Sequence, residues 1–382
     1  MAVQVRTDFA GGNACALEIS EADGADVVRF AAAPHGGTEA LWFSLAVEGC
    51  GPRPVDVVLT NLDSCLGDAT QWERVWPVAR QGDGPWLRLP AGNVRLLADG
   101  RREVCWRVQP AGDAFQLAFC YPYGQAELAA LVHDTGGYWS CDAVGVSGGG
   151  RPLPRLSNSG GAEGATAPGI YLVARQHAGE TPGSWVLDGL LRRAAETVAP
   201  DELLLWAAPL ANLDGVVEGD YGKDPFPHDL NRAWTVPPMR HEVLVLQRDM
   251  RRWARRCRPA AVVDLHAPGG CETEGAYFFI PRAARPPDSV AAARAALEVL
   301  LSRLPEDIVS REPVHQPSYP SRWDADGTIG GWAWDHLSLP SVSLETPYGA
   351  SRELPLTPVE YGRLGAALLE GLRAVAAAGA AG

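Results

Sequence analysis

Near residue 122 the texture of the chain changes, and that change limits the folds open to it. Upstream, short apolar stretches with strand-like alternation (25–30, 40–47, 54–60, 103–108 and 116–121) are separated by Gly, Pro and Asp clusters, the spacing of an all-β sandwich. From about 126 onward strands alternate with helices, the pattern of an α/β domain with a mostly parallel or mixed sheet. Candidate strands lie at 170–174, 203–208, 261–265, 277–280 and 341–344, and candidate helices at 185–198, 240–256, 290–304 and 358–377. The last helix is marked most clearly: Thr357 offers a hydroxyl to the first orphan amides, Pro358 takes the first helical position and Glu360 reaches back. The stretch 151–156 reads either as part of a Gly-rich linker or as an edge strand. We place the division between an N-terminal sandwich, 1–124, and a second domain, 125–382.

Composition narrows the functions. The net charge is −13, with 33 basic against 46 acidic residues and no dense basic block, which argues against nucleic acid as a partner. No apolar run of about 18 residues is present to cross a bilayer, and the first ten residues lack the apolar core of a secretion signal, so a cytoplasmic protein is expected. The eight cysteines contain no C-x-x-C pair and read as reduced, mostly buried small hydrophobes.

The chemistry collects at strand ends. His177 and Glu180 follow the strand at 170–174, where an α/β protein places a ligand site, and an imidazole nitrogen with a carboxylate oxygen suits Zn²⁺. His266, at the end of the apolar strand 261–265, supplies a third ligand; two His and one Glu leave the fourth position to water, as in a catalytic zinc. Glu345 closes another apolar strand, where poor hydration raises a carboxylate's pKa toward the range useful for proton transfer. Arg232 can clamp a carboxylate through paired hydrogen bonds, and Asn231 can add a neutral donor.

Taken together, RQHAGETPGSW (175–185), NLDGVVEG (212–219), HDLNRAW (228–234), VVDLHA (262–267) and SVSLETPYG (341–349) resemble the M14 zinc carboxypeptidases, specifically the cytosolic carboxypeptidase subgroup. LWFSL (41–45) and FCYPYGQAEL (119–128) extend the resemblance, more loosely, to the N-terminal part. It implies a carboxypeptidase-like α/β catalytic domain, a central mixed sheet flanked by helices, preceded by the β-sandwich. It further implies one zinc per chain on His177, Glu180 and His266, with Glu345 as general base and later acid. Asn231 and Arg232 would hold a substrate's terminal carboxylate, and Asp229 would orient the first zinc histidine.

Two departures stand out. The subgroup's oxyanion-stabilising Arg would fall at Gly222, and the neighbouring Lys223 is the only lysine in the chain, a candidate replacement. The family's mobile-loop Tyr has no counterpart in 322–329; Tyr319 is the nearest upstream. Gly330, Gly331, Trp332 and Trp334 suggest a roomy side-chain pocket with an apolar wall, and no basic residue is visible there to favour an acidic side chain. The expected activity is hydrolysis of a C-terminal peptide or isopeptide bond, on a peptide or acylated amino acid with a free carboxylate. The alternatives are an N-acyl amino acid deacylase or amidase, and a catalytically inactive peptide-binding relative.

Overall fold

The computed structural model describes residues 2–37, 39–223, 229–282, 285–317 and 327–378. Two five-stranded sheets form the N-terminal part. One has the order β1 (Gln4–Arg6), β4 (Ser44–Glu48), β10 (Ala114–Ala118), β6 (Val78–Arg80), β7 (Leu87–Arg88). The other has the order β2 (Cys15–Ala22), β3 (Ala25–Ala31), β5 (Val55–Leu59), β9 (Arg102–Val108), β8 (Asn93–Leu96). All pairings are antiparallel except β3 with β5. Alternate side chains point inward, and Phe30, Phe43, Trp72, Trp106 and Phe119 form a ring cluster, with Phe43 5.2 Å from Phe30 and 5.6 Å from Phe119, centroid to centroid.

After α1 (Gln125–Asp134) comes an eight-stranded sheet with the order β11 (Ser140–Val146), β12 (Pro152–Ser157), β14 (Leu204–Ala208), β13 (Pro168–Ala174), β15 (Arg258–His266), β18 (Ser341–Glu345), β16 (Ala276–Phe279), β17 (Val309–His315). The central block β14-β13-β15-β18 is parallel, and β12 and β16 join it antiparallel. The helices α2 (Thr181–Thr197), α5 (Pro287–Leu301) and α7 (Pro358–Ala378) pack together, burying Ile170, Leu172, Val263 and Leu265 of the sheet. Against Tyr171, Val173 and Val262, which point the other way, pack α4 (His241–Ala254) and α6 (Ile329–Leu337). Covered on both faces, the central strands read as unbroken apolar runs rather than alternating ones. The short helix α3 (Leu213–Glu218) and a small hairpin, β19 (Ala350–Ser351) with β20 (Leu354–Pro355), complete the chain.

The capping box of α7 is formed: the Thr357 N–H donates to Glu360 Oε2 (3.0 Å) and the Val359 N–H to Thr357 Oγ1 (3.2 Å). Other expectations need correction. Helix α2 starts at Thr181, ahead of 185, because Pro182 fits the first turn, whose amides have no partner within the helix. Of the stretch 151–156, residues 152–156 belong to β12, which is not an edge, since β11 pairs outside it. Strand β11 is largely solvent-exposed and so carries no apolar signature.

The sandwich props up loops of the larger sheet. Arg88, ending β7, donates to Trp76 O (2.7 Å), Leu356 O (2.9 Å) and Tyr348 O, three residues beyond Glu345. The buried amide of Asn13 donates to Gly219 O (2.7 Å), four residues before Lys223.

Candidate metal centre and active site

Three adjacent parallel strands end together, and each delivers part of the site. Ala174 of β13 is in register with Leu265 of β15, and His266 with Glu345 of β18. Beyond β13 the backbone turns through Arg175 at φ +62°, and its buried guanidinium fixes the loop by donating to Ala178 O (2.7 Å) and Tyr123 O (2.7 Å). That loop carries His177 and ends at Glu180, the N-cap of α2, where the helix dipole favours a carboxylate.

The ligand atoms of His177, Glu180 and His266 all lie within 4.8 Å of one another. Nδ1 of His177 is 2.9 Å from Glu180 Oε1, and Nδ1 of His266 is 2.7 Å from Glu180 Oε2. Both rings are held from behind through Nε2, by Asp229 Oδ1 (2.9 Å) and Asp264 Oδ2 (2.7 Å). A carboxylate at Nε2 keeps the proton there and leaves Nδ1 as the electron-pair donor. Two imidazole nitrogens and a carboxylate so disposed fit a zinc-type divalent ion.

The buried groups shift one another's charge strongly. Burial disfavours charge on both imidazoles, but Asp229 and Glu180 raise His177, and Asp264 and Glu180 raise His266 well above the ordinary range. Burial would raise Glu180, yet His177, Lys223 and His266 hold it well below the usual carboxylate range. Asp229, against the same burial penalty, is held down to about 2 by His177. Glu345 goes the other way: burial pushes it up to about 7, and its Oε2 has no hydrogen-bond partner among the described residues.

A cavity of about 560 Å³ opens over these groups and is lined by His177, Glu180, Lys223, Asn231, Arg232 and Glu345. Lys223 Nζ lies 3.2 Å from Glu180 Oε1; burial alone would depress its pKa, but Glu180 and Glu345 raise it. Position 222 itself can carry no side chain: Gly222 has φ +95°, and a Cβ there would sit 2.5 Å from Ala178 N. Asn231 faces inward, its Oδ1 accepting from Ile329 N (3.2 Å) and its Nδ2 donating to Asp264 Oδ2 (3.3 Å). Arg232 donates to Asn231 O (2.9 Å) and lines the cavity.

The sequence reading missed several residues of the site. Asp264 had a signal, since residues two apart on a strand share a face and His266 follows it by two. Arg282 and Arg285 line the cavity from beyond β16, far in sequence from the pocket stretch 330–334; Arg285 donates to Asp335 Oδ1 (2.6 Å) and Gly331 O (3.1 Å). Glu39 and Leu66 reach it from the sandwich, a juxtaposition only the tertiary fold creates. Of the glycines and tryptophans in 330–334, only the glycines line the cavity; Trp332 packs against Trp234, 5.7 Å away, in the core below. Tyr319 and 322–326, like His228, lie outside the described residues.

Fold and site together define a metallocarboxypeptidase-type architecture. No family model matches the chain. The metallo-carboxypeptidase of Burkholderia cenocepacia superposes with a TM-score of 0.78 over 99% of this chain and 100% of that one, at 20% identity. A metallo-carboxypeptidase of Pseudomonas aeruginosa, solved in complex with (2-guanidinoethylmercapto)succinic acid, gives 0.75 over 97% and 98%, at 21% identity. In sequence, cytosolic carboxypeptidase 6 of Mus musculus is 28% identical over 225 residues, 53% of this chain and 41% of the relative. The human protein of the same name is 28% identical over 224 residues, 53% and 44%. The match thus spans less than half the length of these relatives. The chain thus has the metallo-carboxypeptidase fold and, over about half of its length, is similar in sequence to cytosolic carboxypeptidases.

Proposed function

We propose that the protein is a zinc-dependent metallocarboxypeptidase of the cytoplasm that hydrolyses a C-terminal peptide or isopeptide bond. The observation that carries this reading is the convergence of both histidine Nδ1 atoms on the two oxygens of Glu180, beside a Glu345 carboxyl poised near neutrality. His177, Glu180 and His266 would hold one Zn²⁺, which when bound supplies Lewis acidity and lowers the pKa of water toward about 7. Glu345 accepts the proton of the attacking water and returns it to the leaving amine, a task suited to a carboxyl with a pKa near the working pH. Lys223 sets a positive charge where the oxyanion develops, in place of the family's Arg. Arg232, with Asn231 beside it, holds the free carboxylate of a peptide or acylated amino acid, and Asp229 fixes the His177 tautomer. The same reading divides the chain at 124/125, the sandwich lending Glu39 and Leu66 to the mouth of the cavity.

The test is turnover of the zinc-reconstituted protein on a panel of peptides and N-acyl amino acids. Release of the C-terminal residue from peptides, lost in Glu345→Gln, is the expected result. Hydrolysis of N-acyl amino acids alone would make the protein a deacylase, and binding of peptides without release of a residue would make it a non-catalytic receptor.

A further inference from the structure

The two metal-facing histidines are held differently. Asp229 orients His177 directly, its own position fixed by the Asn231 N–H, which donates to Asp229 Oδ1 (2.8 Å). Behind His266 stands a longer chain. Asp264 takes His266 Nε2 on its Oδ2, and its Oδ1 accepts from Gln176 Nε2 (2.8 Å); Gln176 Oε1 in turn accepts from the indole N–H of Trp234 (2.7 Å). Gln176 and Asp264 are fully buried, and His266 and Trp234 nearly so, so no member has solvent as an alternative partner.

From these contacts we infer that Gln176 and Trp234 are positioning residues for the metal site. Together they form a relay that fixes the tautomer and orientation of His266. The direction of the relay follows from donor chemistry. An indole nitrogen can only donate, so Trp234 compels the Gln176 amide to present its oxygen to the ring and its NH₂ to Asp264. With the amide reversed, an oxygen would face the Asp264 carboxylate and the indole would lose its acceptor, two buried mismatches at once. Satisfied on Oδ1, the Asp264 carboxylate keeps Oδ2 aimed at His266 Nε2, which holds the proton there and leaves Nδ1 free to bind a cation.

The sequence positions give the relay a further consequence. Gln176 adjoins His177, and Trp234 lies two residues after Arg232, so one chain of hydrogen bonds ties both metal-bearing strand ends to the loop that carries Asn231 and Arg232. Asn231 Nδ2 reaches the same pair, 3.0 Å from His266 Nε2 and 3.3 Å from Asp264 Oδ2, and since two N–H donors cannot pair it serves as a second donor to the carboxylate.

This inference rests on His266 being a metal ligand, and zinc binding itself separates the two. Metal-free protein is titrated with Zn²⁺ against a chromophoric chelator. If His266→Ala leaves zinc affinity unchanged, the ligand reading fails, and the relay with it. With that reading intact, Gln176→Leu, which keeps the volume and removes both polar atoms, is expected to weaken Zn²⁺ binding by about 10–100-fold. Trp234→Phe, which keeps an aromatic ring but loses the N–H donor together with part of the indole, falls at the low end of that range. The double variant binds no more weakly than Gln176→Leu alone, because Trp234 acts through Gln176. Should Gln176→Leu fail to fold, Trp234→Phe carries the test by itself. Unchanged zinc affinity in Gln176→Leu, or in Trp234→Phe if that stands alone, overturns the relay, and so does full additivity in the double variant. A lower thermal midpoint of the metal-free variants with wild-type zinc affinity is also a refutation, since it assigns the chain to packing alone.

Discussion

On the metal side of the cleft, both imidazoles are held from behind by buried carboxylates, and those carboxylates are themselves hydrogen-bonded. On the substrate side, the positive charges arrive from irregular segments: Lys223 follows a glycine with a left-handed backbone, and Arg232, at the end of a single 3-10 turn, donates to its neighbour's carbonyl. One side is over-determined by buried contacts and tolerates no alternative geometry. The other is partly exposed and keeps the freedom a ligand needs, so its departures from family pattern can be accommodated by rebuilding a loop rather than a core.

The largest effects should fall on the metal side. His266→Ala is expected to reduce zinc from about one per chain to none and to abolish turnover, because a three-ligand site loses its hold when one ligand goes. Elemental analysis of the variant checks this, and retained metal would mean that the two sides do not differ as described. Next comes Glu345→Gln, which preserves shape and removes the proton acceptor: kcat should fall by about 10²–10⁴-fold with zinc still bound. Near-normal turnover would move the base to another residue.

The same contrast explains what could be read from the sequence. His177, Glu180, His266 and Glu345 were legible because each sits at the carboxyl end of an apolar parallel strand or on the loop directly after it, and strands that neighbour one another in the sheet bring their ends together. The sandwich and the mixed sheet were legible from period and turn spacing. Arg282 and Arg285 were not, since they reach the cavity only through the antiparallel addition of β16 to β18, a pairing that no local pattern announces. Trp332 and Trp334 misled for a related reason: on α6 the helical period turns the glycines toward the cavity and Trp332 toward the core. Gln176 passed unnoticed because a buried glutamine between two functional residues is recognisable only through its partners.

On the substrate side, Lys223→Ala is expected to lower kcat by about 10²-fold with little change in KM, the mark of an interaction made mainly in the transition state. Restoring the family residue in that background, as Gly222→Arg with Lys223→Ala, should not recover activity. A Cβ at 222 meets the Ala178 backbone, and the positive φ is strained for any side chain. Recovery by the arginine would show that this loop is as adaptable as its exposure suggests, and that the lysine only fills a space.

The smallest effect tests how far the sandwich steadies the substrate side. Asn13 is buried and bonds three ways: its Nδ2 donates to Gly219 O (2.7 Å) and Ala33 O (3.1 Å), and its Oδ1 accepts from Ala33 N (2.7 Å). Gly219 caps α3 in a left-handed conformation, and Lys223 lies four residues further on. Asn13→Ala would remove the partner of the buried Gly219 carbonyl and of the part-buried Ala33 backbone groups, at a cost of about 1–3 kcal/mol. Chemical denaturation should register that loss. Because the Lys223 ammonium is also held from the metal side, by Glu180, kcat should fall by a few-fold only, well short of the Lys223→Ala effect. An equal loss of kcat in the two variants would mean that the sandwich, and not the ion pair with Glu180, sets where Lys223 points.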